Sequence, residues 1–555
     1  MRLSMFGGAA ILAALVVGAI WVPAQGQASP FDKASSEYDA SVNRPSLLKR
    51  WRGILKLADT KDPRALEILA KRYERPEDPS EAVAYLIAHV CSTRFTESKH
   101  ADAFDAWARR NTQARDAWLW YVSQRNMLVH KGNATLLVDA SNAKLNPFIR
   151  AACIDALALR ADDALLTLIP KILDDLPAKG AERSVLVESC AVGLLANAAK
   201  LGKDEFRPVA DKLIRQLDEK KTEERTRLVL ARIFRTLFKT DALAFEAAPW
   251  LDLLNNVQPK EPAKPSRYSE KKPQFLGIES IGKRVAYVID LSDSMLIPLT
   301  QQERDDLKKP ITRDQHEKKD PSVPEKKDPK DAKLPSERDL PWAKINNRFE
   351  AAREFLKLSL RTLDKDMAFV IVAFGNDAEV LTGRGTVPAT KQNIEAAIKV
   401  LDDMKPGLPD TNRPYGTLRG FTNLHGGMLL AFRAVTGNTV RGEEHVNKDA
   451  FEQGVDTIFL LSDGAPSWEN FACLDKRDPE DFAGDPETGA PLDTTAELFF
   501  HGTYEGDHLP QDIERMNLLR KCEIHCIGIG EANFTLLETI AKIGRGKVRK
   551  VGREK

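Results

Sequence analysis

The sequence predicts a multidomain chain: an N-terminal all-α region of helical repeats, then a C-terminal α/β region built on a doubly wound, Rossmann-like sheet. Three observations carry this reading. Apolar helical patterns, each with a proline, recur at a regular spacing through the first half. Near residue 257 they give way to a stretch rich in Pro and Lys. Beyond it, short apolar runs alternate with amphipathic helices, the pattern of a mainly parallel sheet. At 555 residues the chain is too long for one core.

The N-terminus stands apart. Arg2 precedes an uncharged stretch from Met5 to Val22, MFGGAAILAALVVGAIWV, followed by Pro23-Ala24-Gln25 and Gly26-Gln27-Ala28. A basic start, an apolar centre and small residues at the exit read as a secretory signal over residues 1–28. The stretch is also long enough to span a bilayer, so cleaved signal and membrane anchor both stay open. Either implies export: periplasmic, extracellular, or membrane-anchored and facing outward. No Cys follows the apolar run, which argues against a lipidated cysteine.

The six cysteines, Cys91, Cys153, Cys190, Cys473, Cys522 and Cys526, show no disulfide framework in their spacing. Cys153 and Cys190 fall in apolar helical patterns and read as buried thiols. Cys522 and Cys526, in extended chain, lie roughly 13 Å apart, beyond disulfide reach. No CxxC pair suggests zinc. A formal net charge of +1, with 29% charged and 43% hydrophobic residues, gives no global charge to attract nucleic acid or an anionic surface.

Residues 32–256 form the helical half. LTLIPKILDDL (Leu166 to Leu176), EFRPVADKLIRQL (Glu205 to Leu217) and FEAAPWLDLL (Phe245 to Leu254) each carry a proline, Pro170, Pro208 and Pro249, spaced 38 and 41 residues apart. Proline suits a first helical turn, where its missing N–H has no partner anyway. Another helix precedes each one: FIRAACIDALAL, SVLVESCAVGLL and TRLVLARIFRTLF. Two helices per repeat of this length resembles HEAT or armadillo repeats, whose apolar faces are buried only by stacking on neighbours. A non-repetitive helical bundle is the alternative. Earlier units are suspected at Pro63 to Phe95 and Ala101 to Val129, and the aromatic run WLWYV (Trp118 to Val122) reads as repeat core.

Residues 257–282 read as a linker, from the Pro- and Lys-rich QPKEPAKPSRYSEKKP. The α/β region, 283–555, then opens with RVAYVID (Arg284 to Asp290), a buried parallel strand. NRFEAAREFLKLSL is an amphipathic helix with Phe349, Ala352, Leu356 and Leu360 on one face. MAFVIVAFGNDAEVLTG reads as strand, turn at Asn376-Asp377, strand. TKQNIEAAIKVLDDM and NLHGGMLLAFRAV are helices, and DTIFLLSD is a buried strand. DIERMNLLRKC (helix), EIHCIGIG (strand) and NFTLLETIAKIG (helix) complete the alternation.

In such a sheet, ligands gather at the carboxyl ends of the strands. One strand ends in Asp290-Leu291-Ser292-Asp293-Ser294, another in Ser462-Asp463-Gly464, and Thr422 stands just before a helix. Five oxygen ligands without His or Cys suit a hard divalent cation, Mg²⁺ or Mn²⁺. Here the sequence resembles the von Willebrand factor A domain, from about Lys283 to Val551. That family's metal-ion-dependent adhesion site has the pattern D-x-S-x-S, then T, then D. This chain matches it with Asp290, Ser292, Ser294, Thr422 and Asp463. The resemblance implies that Ser292, Ser294 and Thr422 touch the metal through hydroxyls, and that Asp290 and Asp463 act directly or through water. It also implies that a protein partner's acidic side chain takes the position left open. The expected chemistry is therefore metal-dependent protein binding, with no enzyme activity and no nucleic-acid partner.

The chain departs from the family pattern in two ways. Asp293 stands where the family often has Gly; its carboxylate either opposes an acidic ligand or points to solvent. Two charged insertions, 301–341 and 468–508, leave the sheet at its metal-binding end, and the first reads as disordered or loosely ordered. Asp485, Glu487 and Asp493 in the second suggest either a calcium site or a solvated acidic loop, and His501 and His508 read as lone loop histidines. Two other functions stay in view: a subunit of a larger chelatase-type, ATPase-associated assembly, and a metal-dependent hydrolase. No nucleophile elbow, HExxH, P-loop or GxGxxG context supports an enzyme.

Overall fold

The computed structural model describes residues 28–43, 47–73, 81–95, 100, 132–240, 244–256, 273–309, 339–375, 378–404, 422–439, 448–466 and 508–552. The apolar N-terminal segment, the suspected repeat at Ala101 to Val129 and most of both insertions therefore lie outside the described residues. Among the described residues, no helix is long and apolar enough to cross a membrane.

The helical half begins with α1 (Pro30–Ser41), α2 (Leu47–Asp59), α3 (Pro63–Tyr73), α4 (Glu81–Arg94) and α5 (Asn133–Ser141). Ser29 starts α1 with a capping box, its side chain and that of Asp32 each satisfying the other's backbone N–H. Three helix pairs follow: α6 (Pro147–Leu159) with α7 (Leu165–Asp174), α8 (Ala181–Ala196) with α9 (Phe206–Ile214), and α10 (Glu224–Phe238) with α11 (Ala247–Leu254). Helix α8 packs between α6 and α10, and α9 packs between α7 and α11, so the pairs stack in two layers. Ile154, Leu157, Val185, Leu186, Leu230 and Ile233 are buried between them. Each such side chain contributes about 1.5–3 kcal/mol by leaving water.

The proline expectation needs one correction. Pro208 and Pro249 do sit in first helical turns, but Pro170 lies inside α7. Its own carbonyl accepts from Lys212 Nζ at 3.1 Å, a bond that ties α7 to α9 of the next pair. The buried thiols of Cys153 and Cys190 sit in α6 and α8, and no described cysteine is in a disulfide.

The proposed linker is shorter than its composition suggests. Its last residues form a hairpin, β1 (Gln274–Phe275) and β2 (Ile278–Glu279), that docks on the α/β core. Phe275 meets Tyr287 and Phe459 edge-on at ring distances of 5.5 and 5.9 Å.

The α/β half contains β3 (Arg284–Asp290), α12 (Gln301–Lys308), α13 (Arg348–Thr362), β4 (Ala368–Phe374), β5 (Ala378–Val380), β6 (Val387–Pro388) and α14 (Lys391–Asp403). These are followed by α15 (Leu424–Arg433), β7 (Ala434–Val435), β8 (Asn438–Thr439), α16 (Lys448–Gln453), β9 (Thr457–Ser462), α17 (His508–Arg520), β10 (Glu523–Ile529), α18 (Phe534–Ile543) and β11 (Val548–Val551). The sheet runs β11-β10-β9-β3-β4-β5, with β6 also on β4. All pairs from β11 to β4 are parallel, whereas β5 and β6 run antiparallel to β4. Val285, Tyr287 and Ile289 face Phe349, Phe355 and Leu356 of α13. Ala286 and Val288 face the other layer, with Met428, Ile513 and Ile540. That alternation is what a strand covered on both faces requires. Gly427 is needed for α15 to lie this close, since a Cβ there would come within 2.7 Å of the Phe374 ring and 2.9 Å of Val288.

Helix α12 is a second correction. It opens the insertion at 301–341, whose composition predicts disorder, yet it is capped by Thr300 and Glu303 in a reciprocal box. Leu307 is buried against the core.

The helical half grips the amino ends of the central strands. Arg232 donates to the Asp456 carbonyl and to Thr457 Oγ1, both at 2.9 Å. Arg235 pairs with Glu523, which also accepts from Ser280 Oγ at 2.8 Å. Arg225 reaches the Leu519 carbonyl at 3.1 Å and is paired with the buried Glu188.

Candidate metal centre

The strand order reverses between β3 and β9, since β4 follows β3 on one side and β9 returns to the other. Such a switch point leaves a crevice beyond the carboxyl ends of the two strands. Asp290 closes β3, and Asp463 directly follows β9. Both carboxylates are buried there.

The turn after β3 folds around Asp290. Its Oδ1 accepts the Ser292 N–H at 2.9 Å, and its Oδ2 accepts from Ser462 Oγ at 2.7 Å. A short 3₁₀ turn, Asp293–Leu296, then carries Ser294 inward. Ser292 Oγ and Ser294 Oγ lie 3.0 Å apart, and Ser294 Oγ donates to Asp463 Oδ1 at 2.6 Å. Thr422 comes from the third segment. The next residue, Asn423, donates its N–H to the Gly375 carbonyl at 2.8 Å and caps α15 through Gly426, also at 2.8 Å. These bonds fix where the chain enters the helix, and Thr422 is buried.

The hydroxyls converge. A Cβ built on Gly464 would lie 3.7 Å from both Ser294 Oγ and Thr422 Oγ1, so both face one small space beside Asp463. The five predicted residues are therefore gathered at one place by three segments. Two carboxylates and three neutral hydroxyls form an all-oxygen donor set that fits a hard divalent cation. Among the described residues, no group of three or more His, Cys, Asp or Glu is placed to hold a metal ion. Asp293 is exposed, which places its carboxylate on the solvent side of the turn. Asp485, Glu487, Asp493 and His501 lie outside the described residues, and His508 begins α17.

The electrostatics single out the same two acids. Burial, and then the charge of Asp463, push Asp290 up to about 7, against the bonds from Ser292 and Ser462. Burial also raises Asp463, although Ser294 and Arg348 oppose it. Two buried carboxyl groups that resist ionising side by side favour a positive charge between them.

Two groups around the site carry no signal in the sequence pattern. Arg348 Nη1 donates to Asp463 Oδ2 at 3.0 Å, and its Nε donates to Glu303 Oε1, also at 3.0 Å. Behind Thr422, His425 Nε2 and Asp512 Oδ2 are 2.9 Å apart, and Asp512 Oδ1 accepts from Arg515 Nε at 2.7 Å. That buried chain fastens the start of α15 to α17. The Thr300-x-x-Glu303 spacing was the one local hint of α12 and thus of the place of Glu303.

No protein-family model matches the chain, and no curated protein matches it. Among solved structures, the chain is similar to a von Willebrand factor type A protein from Catenulispora acidiphila. The identity is 16% and the TM-score 0.25, over 50% of this chain and 40% of that one. The chain thus spans less than half of that protein's length.

Proposed function

We propose that the α/β half is a von Willebrand factor A-type binding module whose adhesion site holds Mg²⁺ or Mn²⁺ through Asp290, Ser292, Ser294, Thr422 and Asp463. The observation that carries this reading is the meeting of the five residues at the sheet's switch point, with Ser294 and Thr422 facing one space beside Asp463. A bound cation there supplies an electrophilic position for a carboxylate. Asp290 and Asp463 together match a divalent charge, but Arg348 is paired with Asp463 and offsets part of their negative charge, so a cation bound there would be only partly balanced and would attract an acidic side chain of a protein partner. Asp290 and Asp463 hold the charge, and the Ser292–Ser294 turn sets the spacing. This is binding, not turnover. The stacked helix pairs act as a HEAT-like scaffold and second docking surface. The apolar N-terminal stretch directs export or anchors the protein facing outward.

Calorimetric titration with Mg²⁺ and Mn²⁺ tests the site. Wild type is expected to bind one cation, and Ser292→Ala/Ser294→Ala to lose that binding while keeping its fold by circular dichroism. Unchanged binding in the double variant overturns the assignment. Affinity capture with and without EDTA then separates metal-dependent partner binding from a site that holds the ion for structure alone.

A further inference from the structure

Arg348 and Glu303 belong to no metal-site motif in the sequence, yet they are built tightly against the site. Both are buried, as is Asp463. The guanidinium spans the two acids, with Nη1 on Asp463 Oδ2 and with Nε and Nη2 both 3.0 Å from Glu303 Oε1. Glu303 is itself fixed, because its Oε2 accepts the Thr300 N–H at 2.6 Å at the start of α12. The neighbouring strands make room for the pair. A Cβ on Gly530, at φ +63°, would sit 2.1 Å from Arg348 Nη2, and one on Gly552, at φ +83°, would sit 2.4 Å from Glu303 Cγ. Two glycines after β10 and β11 thus leave the space that this ion pair occupies.

The consequence falls on Asp463. Its two oxygens are divided, Oδ2 to Arg348 and Oδ1 to Ser294. Only Oδ1 therefore faces the hydroxyls. The fixed positive charge also offsets one of the two carboxylates of the donor set.

We propose that Arg348 is a positioning and charge-setting residue of the cation site. It presents Asp463 through Oδ1 alone, and its charge keeps the bound cation weakly held and strongly attractive to an outside carboxylate. Glu303 holds it in place and, as the more distant charge, only partly cancels it. The inference rests on the cation site proposed above. It also links that site to α12, the ordered start of the first charged insertion.

The test is Mn²⁺ titration of the full chain, read by electron paramagnetic resonance of the free ion, on wild type and four variants. Arg348→Met/Glu303→Gln removes one charge of each sign, and it is expected to bind Mn²⁺ about tenfold tighter because the nearer, repelling charge is gone. Arg348→Lys keeps the charge and is expected to stay within about threefold of wild type. Glu303→Gln leaves Arg348 unbalanced and is expected to bind about threefold more weakly. Asp290→Asn should abolish binding. A purely structural role for Arg348 predicts the opposite sign in the double variant, because a loosened site binds less. Wild-type binding that the double variant leaves unchanged or weakens overturns this inference alone. If the double variant does not fold, Glu303→Gln decides: weaker binding supports the inference, and unchanged or tighter binding overturns it. No Mn²⁺ binding by any of the five proteins overturns both this inference and the metal reading.

Discussion

The two ends of the central strands bury carboxylates in opposite ways. At the amino end, Glu523 is surrounded by partners: Arg235, Ser280, Arg232 at 3.5 Å and His525 at 3.3 Å. Burial would raise it, but Arg232, His525 and Arg235 more than offset this, and its carboxyl is held well below the usual range. At the carboxyl end, Asp290 is met by the neutral groups of Ser292 and Ser462 and by the like charge of Asp463, and burial raises it to about 7. A buried charge given every partner is architecture; here it joins the helical half to the sheet. A buried carboxyl met by neutral donors and a second acid is one whose ionised form a cation would stabilise.

Breaking the amino end should cost most. Glu523→Ala leaves Arg232 and Arg235 facing each other without their shared counter-charge, and we expect a loss of about 3–5 kcal/mol, read by thermal or denaturant unfolding. The pH dependence has a clear sign. A carboxyl with a lowered folded value contributes stability above its unfolded value, near 4.5, and that contribution is lost as pH falls below it. Acid should therefore loosen the join between the halves, and Glu523→Gln should flatten that acid limb of the stability profile.

The carboxyl end should behave in reverse. Asp290 keeps its proton to about 7 in the fold but loses it near 3.8 when unfolded, so metal-free protein loses stability as pH rises between these values. Asp290→Asn should then be more stable than wild type above pH 7, by about 4 kcal/mol, with the difference vanishing near pH 4. Saturating Mg²⁺ should stabilise wild type and not the variant. A metal-free Asp290→Asn protein less stable than wild type at pH 8 breaks the contrast between the two ends.

A smaller effect is expected at the glycine seat. Gly530→Ala must both strain the backbone at φ +63° and displace Arg348, at an expected cost of about 1–3 kcal/mol. Pairing it with Arg348→Met should recover part of that loss, because the clash is then removed; a double variant whose losses simply add would show that Arg348 is not what Gly530 accommodates.

How much of the molecule is legible in its sequence depends on how far each signal reaches. Asp290, Ser292 and Ser294 are legible because strand and turn are adjacent in the chain. Thr422 and Asp463 become legible once alternating strands fix a doubly wound order, which brings distant strand ends together. Arg348 is 115 residues from Asp463 and 45 from Glu303, and no pattern connects them. Composition misled twice. Charge density hid α12, although its capping box was present in Thr300 and Glu303. The Pro- and Lys-rich approach hid the β1–β2 hairpin, whose Phe275 is a core residue. In α7 the spacing of prolines located the repeat but not the place of Pro170 within the helix.

Asp293 should give the smallest effect, and it sharpens the comparison most. It lies between two site serines, yet it is exposed, so water screens its charge in a way that Asp290 and Asp463 are not screened. Asp293→Gly should change folding stability by no more than about 0.5 kcal/mol. Its effect on Mn²⁺ affinity should be less than about threefold at low ionic strength and disappear in high salt. If Asp293→Gly instead shifts Mn²⁺ affinity as strongly as Arg348→Met/Glu303→Gln, and the shift survives high salt, burial does not separate the charges that define the site from those that merely border it.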